Sequence, residues 1–224
     1  MPAAYLFDMD GLLLDTERLA IACFVDVLSD MGLPPAETEP FGLTLIGTAA
    51  PDARALLTGF LPAHISVDAL EAAWTDAFDH ALADGVPVKP GVADLLSDLS
   101  GQGAQMAVVT STAGDRARHH LERADLLRHV AFVIGGDEVA TPKPDPTPYL
   151  SAASRLGVDP TRAAAFEDSD RGIAAAVAAG CHAVQVPDLR PAGKPLPDLG
   201  QMVAATLPEA VGLAQLSAQR GRSS

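Results

Sequence analysis

The sequence predicts an α/β fold, a doubly wound parallel sheet with a small all-α domain inserted after its first strand. An apolar run at residues 4–7 ends abruptly in two carboxylates, Asp8 and Asp10. Residues 17–87 then show helical periodicity, and strands alternate with helices from residue 88 onward. We therefore predict two domains, an α/β core formed by 1–16 and 88–224 and a helical insertion at 17–87.

The insertion is predicted from apolar residues that recur at helix spacing. Leu19, Cys23 and Val27 lie on one face of a first helix, which Gly32 and the prolines that follow it should end. Further helices are expected at 52–58 and 67–83. The chain should return to the core through the glycine- and proline-rich linker 85–91.

The rest of the core is predicted as helices that each lead into a short apolar strand, with a final helix at 208–218. With the first strand, these units make a sheet of about five parallel strands. The expected ranges are helix 92–99 and strand 105–109, helix 115–126 and strand 131–134, helix 146–156 and strand 163–166, and helix 172–179 and strand 182–186.

Composition narrows the possible partners and the compartment. A net charge of -14 argues against nucleic acid or an anionic membrane as a partner, because both attract basic surfaces. Acids appear by position 8, which does not fit a secretory signal, and no run approaches the ~20 apolar residues of a bilayer span. We expect a cytoplasmic protein with free thiols at Cys23 and Cys181, and nothing indicates a protein partner.

Polar residues follow four of the predicted strands, at the edge where a doubly wound sheet binds its ligands. Each group alone has a simpler explanation as a turn, a helix cap or a solvated lysine. Together they would require four coincidences. In chain order the groups are Asp8 with Asp10, Thr110 with Ser111 and Thr112, Lys143, and Glu167 with Asp168.

The pair Asp8 and Asp10 needs a compensating charge. Residues two apart in an extended segment point to the same side, and two carboxylates about 4 Å apart repel by roughly 4 kcal/mol at an effective dielectric near 20. Either one carboxylate holds a proton or a cation lies between them. The sequence leaves both possibilities open.

These residues, in this order, resemble the four motifs of the haloacid dehalogenase superfamily. Asp8-Met9-Asp10-Gly11, Thr110-Ser111, Lys143-Pro144 and Glu167-Asp168 with Gly172 match them over almost the whole chain. The resemblance is closest to the helical-cap subfamily of phosphatases and β-phosphoglucomutase-like enzymes. It implies a Rossmann-like core and makes the insertion a cap domain.

The resemblance also implies roles for individual residues. Asp8 would be the nucleophile that forms an aspartyl-phosphate, and Asp10 the general acid and base. Thr110 and Lys143 would complete the catalytic set by holding phosphoryl oxygens, aided by Gly11 and Ser111. The implied cofactor is Mg²⁺, and its implied ligands are Asp8, Asp10, Glu167 and Asp168.

Asp10 separates the possible reactions within the superfamily. Displacing a halide needs no acid to protonate a leaving oxygen, whereas cleaving a phosphate ester does. We therefore set dehalogenation aside. The expected activity is Mg²⁺-dependent hydrolysis of a small phosphomonoester, such as a sugar or nucleoside phosphate.

Two alternatives remain. A β-phosphoglucomutase-like mutase would need a histidine after Thr16 and a cap arginine after Gly47, and neither is present. Between residues 17 and 88 the only cations are Arg18 and Arg54, against eleven acids, so a second phosphate should be repelled. The other alternative, a non-catalytic binding protein, does not account for the intact set of motifs.

Overall fold

The computed structural model describes residues 1–46, 48, 50–83, 85–190 and 193–220. Gly47, used above against a mutase, lies outside the described residues. The strands are β1 (Ala4–Phe7), β2 (Met106–Val109), β3 (Val133–Ile134), β4 (Ala163–Glu167), β5 (His182–Gln185) and β6 (Met202–Val203). The α-helices are α1 (Thr16–Asp30), α2 (Pro35–Leu45), α3 (Ala50–Phe60), α4 (Val67–Ala83), α5 (Val92–Gly101), α6 (Gly114–Arg123), α7 (Thr147–Leu156), α8 (Asp170–Ala178) and α9 (Leu207–Arg220).

The strands form a parallel sheet in the order β3-β2-β1-β4-β5-β6. This confirms the predicted α/β class. The direction of winding reverses at β1, which has β2 on one side and β4 on the other, so the loops after these strands border the crevice where such sheets bind ligands. Within the described residues the sheet has one strand more than the five expected. The extra strand, β6, has only two residues, too few to show a pattern.

Helix α2 was not predicted. The sequence predicts that Gly32 and the prolines after it end α1, but α1 ends at Asp30, and the prolines begin α2, with Pro34 as N-cap and Pro35 in the first turn. Proline is tolerated there because the first N–H groups of a helix have no partner within it. A further proline inside this helix, Pro40, also argued against it in the sequence.

The described chain packs as two compact units. The core unit consists of residues 1–15, 87–188 and 196–220, and the helical unit of 16–86 and 189–195. Residues 189–195 therefore belong with the helices, although they follow the sheet strand β5 in the sequence. Within the helical unit, Trp74 donates its indole N–H to the carbonyl of Ala20 (2.7 Å) and packs on Phe24, which makes this tryptophan part of the unit's interior.

The two faces of the sheet are packed differently. On one face, small residues such as Ala163 and Ala165 let α7 and α8 pack close to the strands. The other face carries the rings of Tyr5, Phe7 and Phe166 in a stack, with centroids 5.1–6.4 Å apart.

In the described ranges, no helix has the length and apolar character that a bilayer crossing requires.

Candidate active site

Asp8 continues the central strand β1 and is buried. Its N–H donates to the carbonyl of Phe166 at 3.0 Å, which extends the pairing of β1 with β4 by one residue. The chain then turns sharply at Gly11, where φ is +78°, a value that favours glycine. Three successive N–H groups, those of residues 12–14, donate back to the carbonyl of Met9. The turn thereby fixes the backbone that carries Asp8 and Asp10.

Lys143 reaches the buried end of β1 from the loop after β3. Its ammonium group donates to Asp8 Oδ1 (2.6 Å), Glu167 Oε1 (2.5 Å) and the carbonyl of Val109 (2.8 Å). All three donors of the ammonium therefore have acceptors from different segments. Arg171 in turn donates to the backbone carbonyl of Lys143 (2.5 Å) and so secures the loop.

The charges in this cluster shift one another's protonation. Burial alone would lower the pKa of Lys143, but the adjacent carboxylates of Asp8 and Glu167 raise it, so the lysine stays charged. Burial and the nearby Glu167 raise the pKa of Asp8 well above its ordinary value, and Lys143 opposes this shift only in part. The cluster sets three buried carboxyl groups, those of Asp8, Glu167 and Asp168, against the one ammonium group of Lys143.

Three carboxylates in this cluster could hold a metal ion. Asp8, Glu167 and Asp168 are buried and each offers an oxygen within 4.8 Å of the other two. Oxygens around one cation at ~2.0–2.4 Å can be about 4–5 Å apart, so the set suits a hard divalent cation. The uncompensated charge and the all-oxygen donors both fit Mg²⁺ better than a soft metal.

Glu167 is the most constrained of the three. It is fully buried, and besides Lys143 it accepts hydrogen bonds from Tyr149 (2.5 Å, to Oε1) and Ser169 (3.2 Å, to Oε2). A Cβ added at Gly172 would overlap the Glu167 carboxyl group, so the first turn of α8 needs a glycine at this position. Ser169 is also the N-cap of α8, because its hydroxyl accepts from the N–H of Gly172 (3.0 Å).

The residues after β2 lie beside Asp10. Thr110 is buried and its hydroxyl is 3.5 Å from Asp10 Oδ2, while Ser111 is exposed. Thr112 makes a much shorter bond to the same oxygen, 2.7 Å. The helix-capping alternative for these hydroxyls does not hold, because the N-cap of α6 is Ala113 and the N–H of Gly114 donates to Asp137 instead.

The structure brings together the acids of the first and fourth motifs with the lysine of the third, and it sets the second motif against Asp10. Sequence reasoning did not assign a role to Tyr149 or Thr112. A signal for Thr112 existed, because residues two apart in an extended segment face the same way and Thr110 was already a candidate. A buried tyrosine also needs a partner for its hydroxyl, but the sequence does not say which.

Comparison with known proteins agrees with this geometry. Residues 5–186 match the family model described as haloacid dehalogenase-like hydrolase. The chain is 31% identical to a phosphorylated carbohydrates phosphatase of Thermotoga maritima, covering 79% of this chain and 81% of the relative. It is 33% identical to phosphoglycolate phosphatase 1 of Pseudomonas aeruginosa, over 80% of this chain and 67% of the relative.

Solved structures show the same fold. A haloacid dehalogenase family hydrolase from Deinococcus radiodurans, crystallised with bound phosphate and sodium, superposes with a TM-score of 0.77 at 27% identity. The match covers 97% of this chain and 96% of the other. The superfamily resemblance found in the motifs is thereby confirmed. The chain belongs to the haloacid dehalogenase-like hydrolase family and is one of its phosphatases.

Proposed function

We propose that the protein is a Mg²⁺-dependent phosphomonoesterase that transfers the phosphoryl group of a small substrate to Asp8 and then to water. The observation that carries this proposal is the convergence of Asp8, Lys143 and Glu167, with Lys143 Nζ 2.6 Å from Asp8 Oδ1 and 2.5 Å from Glu167 Oε1. A buried carboxylate that is held by a cation at the carboxyl ends of parallel strands is suited to nucleophilic attack on phosphorus.

In the first step, a carboxylate oxygen of Asp8 forms a bond to phosphorus while the bond from phosphorus to the substrate oxygen breaks. Asp10, two residues further on the same turn, protonates the leaving oxygen. In the second step, Asp10 accepts a proton from water as the water attacks phosphorus and the Asp8 carboxylate leaves. Asp10 thus returns to its protonated form for the next cycle.

The phosphoryl oxygens need donors and positive charge. Lys143 is the cation of the site, and its raised pKa keeps it protonated throughout. The Thr110 hydroxyl and the exposed Ser111 at the end of β2 are the further donors that we propose, together with the backbone turn at Gly11. This assignment retains the catalytic and phosphate-binding residues expected from the sequence.

We propose Asp8, Glu167, Asp168 and the backbone carbonyl of Asp10 as the Mg²⁺ ligands. When bound, the ion would neutralise excess carboxylate charge and screen Asp8 from the incoming phosphoryl group. The excess of buried acid over Lys143 supports this choice. Tyr149 and Ser169 would hold Glu167 in place for either role, as ligand or as partner of Lys143.

A small phosphorylated organic molecule is the substrate class we propose, with sugar and nucleoside phosphates foremost. The relatives reported above are named for phosphorylated carbohydrates and phosphoglycolate, which supports a small substrate. The acidic helical unit favours a substrate with no negative charge beyond its single phosphate.

Mutase activity remains the weaker candidate. Of the three arginines in the helical unit, Arg18, Arg54 and Arg190, Arg54 is bound by Asp68 and Glu71 of α4, so its charge is already compensated. A mutase must hold a second phosphate away from the reacting one. The pairing of Arg54 therefore argues for hydrolysis over phosphoryl return to the substrate.

The proposal is tested by measuring phosphate release from a panel of phosphomonoesters, with Mg²⁺ and with EDTA. Asp8→Asn should lower turnover by at least about 10³-fold, since it removes the nucleophile. Asp159→Asn is the matched control, because this carboxylate caps the 3₁₀ turn at the opposite end of β4 and should not affect turnover.

Intact-protein mass spectrometry after rapid quenching should find one added phosphoryl group on the wild type and none on Asp8→Asn. A glucose 1-phosphate to glucose 6-phosphate assay primed with bisphosphate tests the mutase alternative. Undiminished phosphate release by Asp8→Asn, or equal activity in EDTA, would overturn the proposal.

A further inference from the structure

The side chain of Thr112 contacts the carboxyl group of Asp10. Its hydroxyl donates to Asp10 Oδ2 at 2.7 Å, whereas the hydroxyl of Thr110 is 3.5 Å from the same atom. The Thr110 oxygen is itself engaged, because it accepts the backbone N–H of Thr112 at 3.1 Å. Thr112 therefore makes the stronger of the two threonine contacts to Asp10.

The backbone of Thr112 is held on both sides. Its N–H donates to Thr110, and its carbonyl accepts from the N–H of Gly136 at 3.0 Å. A Cβ at Gly136 would overlap the neighbouring carbonyl of Ser111, so this approach depends on glycine. The hydroxyl of Thr112 is thus presented to Asp10 from a fixed backbone, which is the condition for orienting another group accurately.

Capping of helix α6 does not explain the position of the Thr112 hydroxyl. Helix α6 starts at Gly114, its N-cap residue is Ala113, and the N–H of Gly114 is bound by Asp137 Oδ1 at 2.7 Å. The contact with Asp10 instead joins the ends of β1 and β2, two neighbouring strands at the crevice. Its geometry has a direct consequence for proton transfer.

We propose that Thr112 is a positioning residue for Asp10, fixing the rotation of its carboxyl group and keeping the transferable proton on Oδ1. When Asp10 is protonated, the bond from Thr112 makes Oδ2 the accepting oxygen and leaves the proton on Oδ1. That proton goes to the leaving oxygen as its bond to phosphorus breaks. The inference rests on the proposed function, in which Asp10 is the acid and base.

A positioning role can be separated from a structural one by varying the leaving group. A nitrophenolate leaves readily without a proton, whereas an alkoxide needs one, so only the alkyl ester depends on an oriented acid. The quantity to compare is kcat/KM, because it covers the steps up to the first irreversible one, here transfer to Asp8. The substrates are p-nitrophenyl phosphate and the best alkyl phosphate of the panel.

Thr112→Val should lower kcat/KM for the alkyl phosphate by about 10–100-fold, part of the ~10²–10⁴-fold that a general acid supplies. For p-nitrophenyl phosphate the loss should stay below about threefold. Thr112→Ser, which keeps the hydroxyl, should restore the alkyl rate to within about threefold of wild type. Thr161→Val is the matched control, since it removes a similar threonine–aspartate bond (2.7 Å, to Asp159) far from the site.

Asp8→Asn and Asp10→Asn make the two possible failures distinguishable. The chemistry on which the inference rests is established if Asp8→Asn loses activity on both substrates and Asp10→Asn loses activity only on the alkyl phosphate. Against that background, equal losses on both substrates in Thr112→Val, or full alkyl activity, would overturn the role of Thr112 alone. Unimpaired Asp8→Asn would instead overturn the proposed function.

Discussion

Replacing Lys143 by methionine would remove from a buried acidic cluster the ammonium group that binds Asp8 and Glu167, while keeping the length of the side chain. The ammonium group makes charge-assisted hydrogen bonds to Asp8 and Glu167 at 2.6 and 2.5 Å, and a third bond to the carbonyl of Val109. Because Lys143 and Glu167 are 4% and 0% exposed, water cannot replace these bonds in the folded protein. The substitution should therefore destabilise the fold as well as the reaction.

The expected size of this loss follows from the contacts. A hydrogen bond to a charged group contributes about 1.5–3 kcal/mol, so two such bonds give roughly 3–6 kcal/mol. Breaking a buried ion pair by removing one partner costs about 3–5 kcal/mol in general, because it leaves an uncompensated charge. We expect Lys143→Met to lower the free energy of unfolding by about 3–5 kcal/mol.

Urea unfolding followed by circular dichroism in EDTA measures this loss without interference from divalent ions. Glu167→Gln and the double variant complete a double-mutant cycle, which should give a coupling energy above about 1.5 kcal/mol. Lys89→Met is the matched control. Lys89 also lies between two carboxylates, Asp15 (3.2 Å) and Asp188 (2.7 Å), but its side chain is 17% exposed, so the loss should be smaller, about 1–2 kcal/mol.

The reasoning would be refuted if Lys143→Met lost under about 1 kcal/mol, or no more than Lys89→Met. Additive effects of Lys143→Met and Glu167→Gln would also contradict it, since they would mean that the two side chains do not stabilise each other. If Lys143→Met alone is only marginally folded, the urea midpoint is measured on the double variant with Glu167→Gln. That variant lacks one of the two carboxylates that Lys143→Met leaves unpaired, so it should be more stable.

Three further predictions concern neighbouring groups. Millimolar Mg²⁺ should raise the melting temperature of the wild type by a few degrees through binding to the folded state, and Asp168→Asn should abolish this shift in calorimetry. Tyr149→Phe should destabilise the protein by about 1–3 kcal/mol in urea unfolding, because the buried Glu167 loses a hydrogen bond. Hydrogen bonds from Arg118 and from the N–H of Gly135 lower the pKa of Glu138. Ionised Glu138 therefore stabilises the folded state at pH values above its unfolded pKa, and this stabilisation is lost as the pH falls through the folded pKa. The difference in urea midpoint between wild type and Glu138→Gln should accordingly be present at pH 7 and shrink progressively once the pH falls below the unfolded pKa of Glu138. A difference that grows on acidification would contradict this reasoning.

The parallel sheet could be predicted because its strands are buried on both faces and so appear as continuous apolar runs. Strands β1, β2 and β4 are fully buried along their lengths, and each was expected within a residue or two. Prediction from the sequence failed where a pattern is compatible with two structures or where an element is too short to show a pattern. Prolines after a helix can mark its end or the start of the next one, and Pro34 and Pro35 begin α2, whereas α1 already ends at Asp30. Strand β6 is too short to show any periodicity.

The candidate site was predictable to the extent that strand order brings residues together. Acids at the ends of adjacent parallel strands must share an edge, so the meeting of Asp8 with Glu167 follows from topology. The roles assigned to these residues stay predictions. Tyr149 could not be found this way, because a tyrosine on an apolar helix face is typical of core packing, and its bond to Glu167 depends on how α7 docks on the sheet.

Residues 189–195 give the helical unit a second segment in the sequence, after β5. Leu189 from this segment lines a groove together with Ile21 and Val25 of α1 and Leu43 of α2. Grafting the helical unit of a relative onto this protein would therefore require two pieces of chain to be transplanted. A chimera that received only residues 16–86 would combine the helices of one parent with the second segment of the other. The side chains that line the groove would then come from different proteins and would not pack against each other.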